Sequence, residues 1–144
     1  AAQVSCQHSH CVEAIYGNLP GLIIIAASNA YNANGLLKAA IRNNNPVLFL
    51  ECELLYADKM EIPTEEYVLE IGKANRVIEG TDITIVSHGR MVKLSKQVCE
   101  ELAKRSISAE LIDLQTVKPL DLETIADSVR KTKFCVVVEP PFVH

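Results

Sequence analysis

The sequence has no apolar run long enough to cross a bilayer. Its longest purely apolar stretch, Leu22 to Ala27, falls far short of the ~20 residues a spanning helix needs. No charged-then-apolar signal segment opens the chain. It starts at Ala1 without a methionine, as expected of a processed product or a fragment. It also lacks a basic stripe. The formal net charge is −4, and the nearest cationic cluster, Arg130-Lys131-Thr132-Lys133, reads as the last turn of a helix, where cations complement the helix dipole. Nucleic acid is therefore a poor fit as partner. Neither Gly-x-Gly-x-x-Gly nor a Walker loop occurs, which argues against a self-contained dinucleotide or ATP site. There is no internal repeat and no low-complexity stretch.

Five cysteines are present, Cys6, Cys11, Cys52, Cys99 and Cys135. The number is odd and the spacing irregular. Cys52, Cys99 and Cys135 fall in apolar, periodic segments, where a thiol behaves as a small hydrophobe. A reducing interior is expected rather than a disulfide scaffold.

What is there is a succession of short apolar runs and helical periods. Residues 1–20 open as a polar loop, followed by a short helix with Val12, Ile15 and Tyr16 on one face; Gly17-Asn18 is expected to end it through positive φ. Gly21 to Ala27 reads as a strand buried on both faces, as in a parallel sheet. Ser28 and Asn29 are helix-capping candidates. Leu36, Leu37, Ala40 and Ile41 mark the inner face of a helix over Tyr31–Arg42, and Asn43-Asn44-Asn45-Pro46 stops it, since Pro cannot continue a helix and Asn accepts left-handed geometry. Val47–Leu50 is a second buried strand, completing a βαβ unit with a right-handed crossover. The charged segment 57–66, which includes Pro63, has no clean period and reads as a linker.

The pattern then restarts. Strands are expected over Asp82–Val86, Ala109–Asp113 and Phe134–Val138. Helices are expected over Ser87–Lys104, with Met91, Leu94, Val98 and Leu102 on one face, and over Asp121–Arg130, with Asp121 as N-cap and Thr124 at N3. These elements imply an α/β fold. They also leave it bare. Two parallel strands cannot supply a core, and two right-handed crossovers in one direction would put both later helices on one face of a three-stranded sheet. Further sequence, a partner subunit, or both are expected to cover these faces.

Three features carry chemistry. Cys6-Gln7-His8-Ser9-His10-Cys11 packs four possible metal ligands together, but structural zinc sites draw a second ligand pair from afar and none exists here. Zinc, chance clustering on a loop, and an active-site loop with one functional histidine stay open. A histidine's reference pKa lies near neutrality, and His8 falls in an expected loop feeding an α/β sheet, where sites gather. His88 follows a strand end beside the capping candidate Ser87, where side chains mostly serve the helix start. The helix end Ala40-Ile41-Arg42-Asn43-Asn44-Asn45 leaves carbonyls without intrahelical partners. They either see water or bind a cation through oxygen.

One family matches these words in this order. Gln7-His8-Ser9-His10, Pro20-Gly21, Tyr31-Asn32-Ala33-Asn34-Gly35-Leu36-Leu37-Lys38-Ala39-Ala40-Ile41-Arg42, Asn45-Pro46-Val47, Glu51 and Leu54-Leu55-Tyr56 closely resemble the beta subunits of the pyruvate dehydrogenase decarboxylating component. These belong to the thiamine-diphosphate-dependent 2-oxoacid dehydrogenases of the transketolase-like superfamily. Ile83-Thr84-Ile85-Val86-Ser87-His88-Gly89-Arg90, Glu110-Leu111-Ile112-Asp113-Leu114, Lys118-Pro119-Leu120-Asp121 and Val136-Val137-Val138-Glu139 extend the resemblance to nearly the whole chain. The wording at Tyr31–Arg42 and Leu54–Tyr56 is nearest the plastid-type subunits.

The resemblance implies the end of a pyrimidine-binding domain over 1–56, a linker over 57–78, and most of a transketolase C-terminal-like domain over 79–144. It implies pyruvate decarboxylation with acetyl transfer to lipoamide, in a heterotetramer of two beta and two alpha subunits that serves a lipoyl acyltransferase core. Thiamine diphosphate would lie between alpha and beta, with magnesium held on the alpha side and no cofactor ligand in this segment. His8 matches the active-site histidine. The carbonyls of Ala40, Ile41, Asn43 and Asn45 match a structural potassium site, although Asn43 stands where the family often has Asp or Ser. Pro140-Pro141 departs from the Glu/Gly-rich sequence usual there. The expected location is a plastid or apicoplast-like organelle, with a mitochondrial matrix or bacterial cytoplasm as alternatives. A branched-chain 2-oxoacid dehydrogenase, a transketolase-like enzyme and a non-catalytic assembly scaffold are the rival readings.

Overall fold

A computed structural model of the chain describes residues 10–140. The Cys6–Cys11 cluster, and His8 with it, lies outside the described residues except for His10 and Cys11.

The first helix, α1 (Glu13–Gly17), is short. Neither Gly17 nor Asn18 ends it with positive φ; Asn18 keeps right-handed geometry, and the positive φ comes later, at Gly21. The expected βαβ unit follows as β1 (Ile23–Ala26), α2 (Ala30–Arg42) and β2 (Val47–Leu50), with the two strands parallel. Asn29 caps α2, its side chain accepting from Asn32 N at 2.9 Å. At the other end Asn43 turns to extended backbone rather than to left-handed geometry. Its side chain holds the stop instead, accepting from Asn45 N at 2.9 Å.

In the segment expected as a linker over 57–78, residues 57–66 are exposed and without helix or strand, while the later part packs and ends in a strand. Tyr67 stacks on Tyr31 of α2 with ring centroids 4.6 Å apart and donates its hydroxyl to Tyr31 O at 3.0 Å. Gly35 makes this approach possible, because a Cβ there would meet Leu69 Cγ at 2.6 Å. The segment then forms β3 (Asn75–Ile78). Its alternation was hidden because it pairs as an antiparallel edge strand, with only Val77 and Ile78 packed inward.

The second sheet is built from β3, β4 (Ile83–Ser87), β5 (Ala109–Asp113) and β7 (Cys135–Val138), in the order β3-β5-β4-β7. Its helices are α3 (Arg90–Lys104) and α4 (Leu122–Thr132). As expected, Asp121 caps α4 and accepts from Thr124 N at 3.2 Å. Ser87, however, is the last residue of β4 and donates its hydroxyl to Val138 O at 3.0 Å; Gly89 precedes α3.

The two helices lie on opposite faces, not on one. After β5 the chain does not continue outward but crosses back over β4 to form β7. Reversing direction while keeping right-handed crossovers moves the second helix to the other face. On one face Ile85, Ala109 and Leu111 pack with Val92 and Cys99 of α3. On the other, Thr84 meets Ser128 and Thr132 of α4.

The halves are joined by a strand exchange. β6 (Thr116–Lys118), from the second half, pairs antiparallel with β1, so the first sheet is β2-β1-β6. Cys99 is buried as expected, whereas Cys135 is exposed on the edge strand β7.

Candidate functional site

Parallel α/β sheets place their sites beyond the C-terminal ends of the strands. Here β4 and β7 end side by side, at Ser87 and Val138. A cleft of about 130 Å3 opens there, with His88, Glu139, Pro140, Val117, Cys11 and Glu13 among its lining residues. The backbone explains the convergence. His88 and Glu139 are the first residues after β4 and β7. Val117 lies in β6. Glu13 opens α1, which Lys118 pins by donating to Gly17 O at 2.8 Å and Leu19 O at 2.7 Å.

His88 is only 6% exposed, and its Nδ1, itself buried, has no hydrogen-bond partner among the described residues. An unsatisfied buried polar atom costs about 1–3 kcal/mol. Burial pushes the imidazole pKa below its ordinary value, while the carboxylates of Glu13 and Glu139 push back. Burial is the larger of these effects, and the neutral ring is favoured.

Next to the cleft runs a buried polar seam between the halves. Asp113, at the end of β5, is fully buried. Its Oδ2 accepts from Ser28 Oγ at 2.5 Å and from Asn32 Nδ2 at 2.7 Å. Its Oδ1 accepts from Gln115 N at 3.1 Å, and Gln115 Nε2 donates to Asn32 Oδ1 at 3.0 Å. Burial pushes the Asp113 carboxyl up to about 6, although these donors and Lys96 pull it down. Desolvation outweighs three hydrogen bonds, as it does for carboxylates enclosed on all sides.

The expected site residues separate in space and in description. His8 is outside the described residues. Ala40, Ile41, Asn43 and Asn45 lie at the end of α2 and the turn into β2. There Ala40 O accepts from Asn43 N at 3.2 Å, which leaves one lone pair of that carbonyl for another partner. His88, read as a residue serving a helix start, is instead the buried wall of the cleft. Glu13, Glu139, Asp113, Ser28, Asn32 and Gln115 were not singled out for chemistry. Only Glu139 had a signal, its place just past a parallel strand; the others are assembled by contacts between segments far apart in sequence.

Residues 1–59 match the family described as transketolase, pyrimidine binding domain, and residues 72–141 the family described as transketolase, C-terminal domain. The chain carries these two transketolase-type domains one after the other. Among its relatives, pyruvate dehydrogenase E1 component subunit beta-1, mitochondrial, of Arabidopsis thaliana is 48% identical over 99% of this chain and 40% of its own length. Pyruvate dehydrogenase E1 component subunit beta of Bacillus subtilis is 46% identical over 92% of this chain and 41% of its own length. The solved structure of a split gene transketolase, an inactive beta4 tetramer, superposes with a TM-score of 0.75 at 25% identity, over 90% of this chain and 43% of that one. The chain thus spans about 40% of the length of the pyruvate dehydrogenase relatives it matches.

Transketolase relatives raise the question of thiamine diphosphate. The His88 cleft does not fit it. Pockets for small molecules and cofactors enclose about 300 Å3 or more, against about 130 Å3 here. Glu13 and Glu139 would also repel a diphosphate.

Proposed function

We propose that the chain is part of the beta subunit of a thiamine-diphosphate-dependent pyruvate dehydrogenase, the component that decarboxylates pyruvate and passes the acetyl unit to lipoamide. One observation carries this reading: relatives bearing that name are 43–48% identical across nearly the whole chain, through both halves in order. In this reading residues 1–56 end a pyrimidine-binding domain, 57–78 connect, and 79–144 begin a transketolase C-terminal-like domain. The beta subunit pairs with an alpha subunit, which holds magnesium, and with a second beta subunit in a heterotetramer serving a lipoyl acyltransferase core. The plastid-type wording favours a plastid or apicoplast-like organelle, with the mitochondrial matrix and bacterial cytoplasm as alternatives.

The bound cofactor supplies the decarboxylation chemistry. His8 holds or moves a proton during acetyl transfer to lipoamide. The carbonyls of Ala40, Ile41, Asn43 and Asn45 form a potassium site: neutral carbonyl oxygens at the negative end of a thirteen-residue helix suit a weakly hydrated monovalent cation.

The test is reconstitution of the complete beta subunit with an alpha subunit. Calorimetry should show thiamine diphosphate binding only with both present, and turnover should prefer pyruvate over branched-chain 2-oxoacids. His8→Ala should lower overall turnover by roughly a hundredfold or more, the scale of a lost acid–base group. Normal turnover in that variant would reject the role of His8, and preference for branched-chain substrates would replace the pyruvate reading with its nearest rival.

A further inference from the structure

Asp113 stands where the chain leaves β5 of the second sheet for β6 of the first. Two residues on, Gln115 O accepts from Ala26 N of β1 at 2.9 Å, so the carboxyl sits beside the joint between the halves. Its hydrogen-bond partners are polar and uncharged: Ser28 and Asn32 from the first half and the Gln115 backbone from the second. Its strand neighbours, Asn75 of β3 and Ser87 of β4, carry no charge either. Lys96 of α3 acts on it only from a distance, and among the described residues no cation forms an ion pair with it. His88, the residue after Ser87, is the titratable group that follows β4, and its pKa lies below the ordinary value through burial.

Two effects compete at this carboxyl. Three donors favour its charge, whereas full burial without a cation opposes it more strongly. Parting the joint lets water reach the carboxylate and relieves that penalty; the neutral acid has no such penalty to relieve. We propose that Asp113 is a protonation-controlled latch at this joint: neutral, it holds β6 on β1; ionised, it lets the two part. The sign follows from linkage. The closed joint binds the proton near pH 6, against an ordinary 3.8 when water reaches the group, so closure is firmest below pH 3.8 and weakens as pH rises to about 6. The opening is local, because the second sheet keeps its own apolar layer against α3. The inference does not rest on the proposed function.

Amide hydrogen exchange of the full chain between pH 4 and pH 7 tests it, with each rate corrected for the intrinsic pH dependence of exchange. Protection of the Ala26 amide should fall by up to roughly a hundredfold across that range, the span of about two pKa units. The Ile85 amide, inside the second sheet, should keep its protection. Asp113→Asn should flatten the Ala26 profile while leaving His88 in place, which separates the two titrations. Gln115→Arg adds the missing cation and should also flatten it, and this variant decides the matter if Asp113→Asn fails to fold. Equal protection of Ala26 at both ends of the range, a parallel loss at Ile85, or a slope that survives in either variant would each overturn the proposal.

Discussion

The two faces of the second sheet share the same strands but are sealed by different physics. Toward α3 the sheet presents Ile85, Ala109 and Leu111 to Val92 and Cys99, an apolar layer. Toward α4 it presents Thr84 and Glu110. Thr84 Oγ1 shares hydrogen bonds with Ser128 Oγ at 2.7 Å and Thr132 Oγ1 at 2.6 Å. Glu110, fully buried, accepts from Lys131 Nζ at 2.6 Å. Burial works to raise the Glu110 pKa, but the hydrogen bonds from Lys131 and Ser128 prevail and hold it below the usual carboxylate value. An apolar face tolerates small shifts, because dispersion and hydrophobic burial have little direction. A hydrogen-bonded face specifies where its helix sits, because a displaced donor leaves an acceptor unsatisfied. The α3 face therefore supplies most of the stability and the α4 face most of the register.

Breaking that contrast starts with the largest effect. Leu111→Ala, at a fully buried position in the apolar layer, should cost about 3 kcal/mol through lost transfer energy and a residual cavity. Chemical denaturation measures it. An effect below about 1 kcal/mol would mean that this face is not the main source of stability.

The next effect is pH-dependent and concerns the seam rather than either helix. Asp113 titrates near 6 when folded, against an ordinary 3.8, so the folded chain binds this proton more tightly. Its contribution is fully present below pH 3.8 and is lost as pH rises through about 6. The change amounts to at most about 3 kcal/mol at ~1.4 kcal/mol per pKa unit. Denaturation midpoints across pH 3.5–7 should show this loss, and Asp113→Asn should remove that component of the profile.

A smaller effect probes the polar face. Thr84→Val keeps the shape but removes a buried hydroxyl that both Ser128 and Thr132 contact, while Thr132 Oγ1 keeps Ser128 O and Phe134 O as acceptors, and it should cost about 1 kcal/mol. Combining it with Ser128→Ala and Thr132→Val should cost less than the sum of the three single changes, a non-additivity expected of one network. Simple additivity would show that the three hydroxyls act independently. The smallest effect belongs to the surface. Lys104 and Glu101 form an ion pair with both side chains about two-thirds exposed, and Lys104→Ala should change stability by no more than a few tenths of a kcal/mol.

Local pattern made most elements readable. The β-branched runs at Ile23–Ile25 and Ile83–Val86, the cap at Asp121 and the stop at Asn43–Pro46 all mark structure within one segment, and all appear. What escaped was structure whose cause lies elsewhere in the chain. β3 and β6 are too short and polar to show a period; Asn75 and Lys118 belong to strands only because β5 and β1 lie beside them. The expectation that α3 and α4 share a face failed for the same reason, since strand order is not a local property. At the candidate site, His88 was visible as a histidine after a strand, but its burial was not. Asp113 read simply as the end of a strand, because nothing near it in sequence announces Ser28, 85 residues away.

The sequence by itself determined the α/β class, the positions of the main strands and helices, and the likeness to transketolase-type domains. These follow from side-chain periodicity, backbone preferences and motif wording, all of which act over a few residues. Only the tertiary structure decided the order β3-β5-β4-β7, the lending of β6 to the first sheet, the Asp113 seam and the acidic cleft around His88. Each of these depends on desolvation and hydrogen bonding between segments that meet only once the chain has folded.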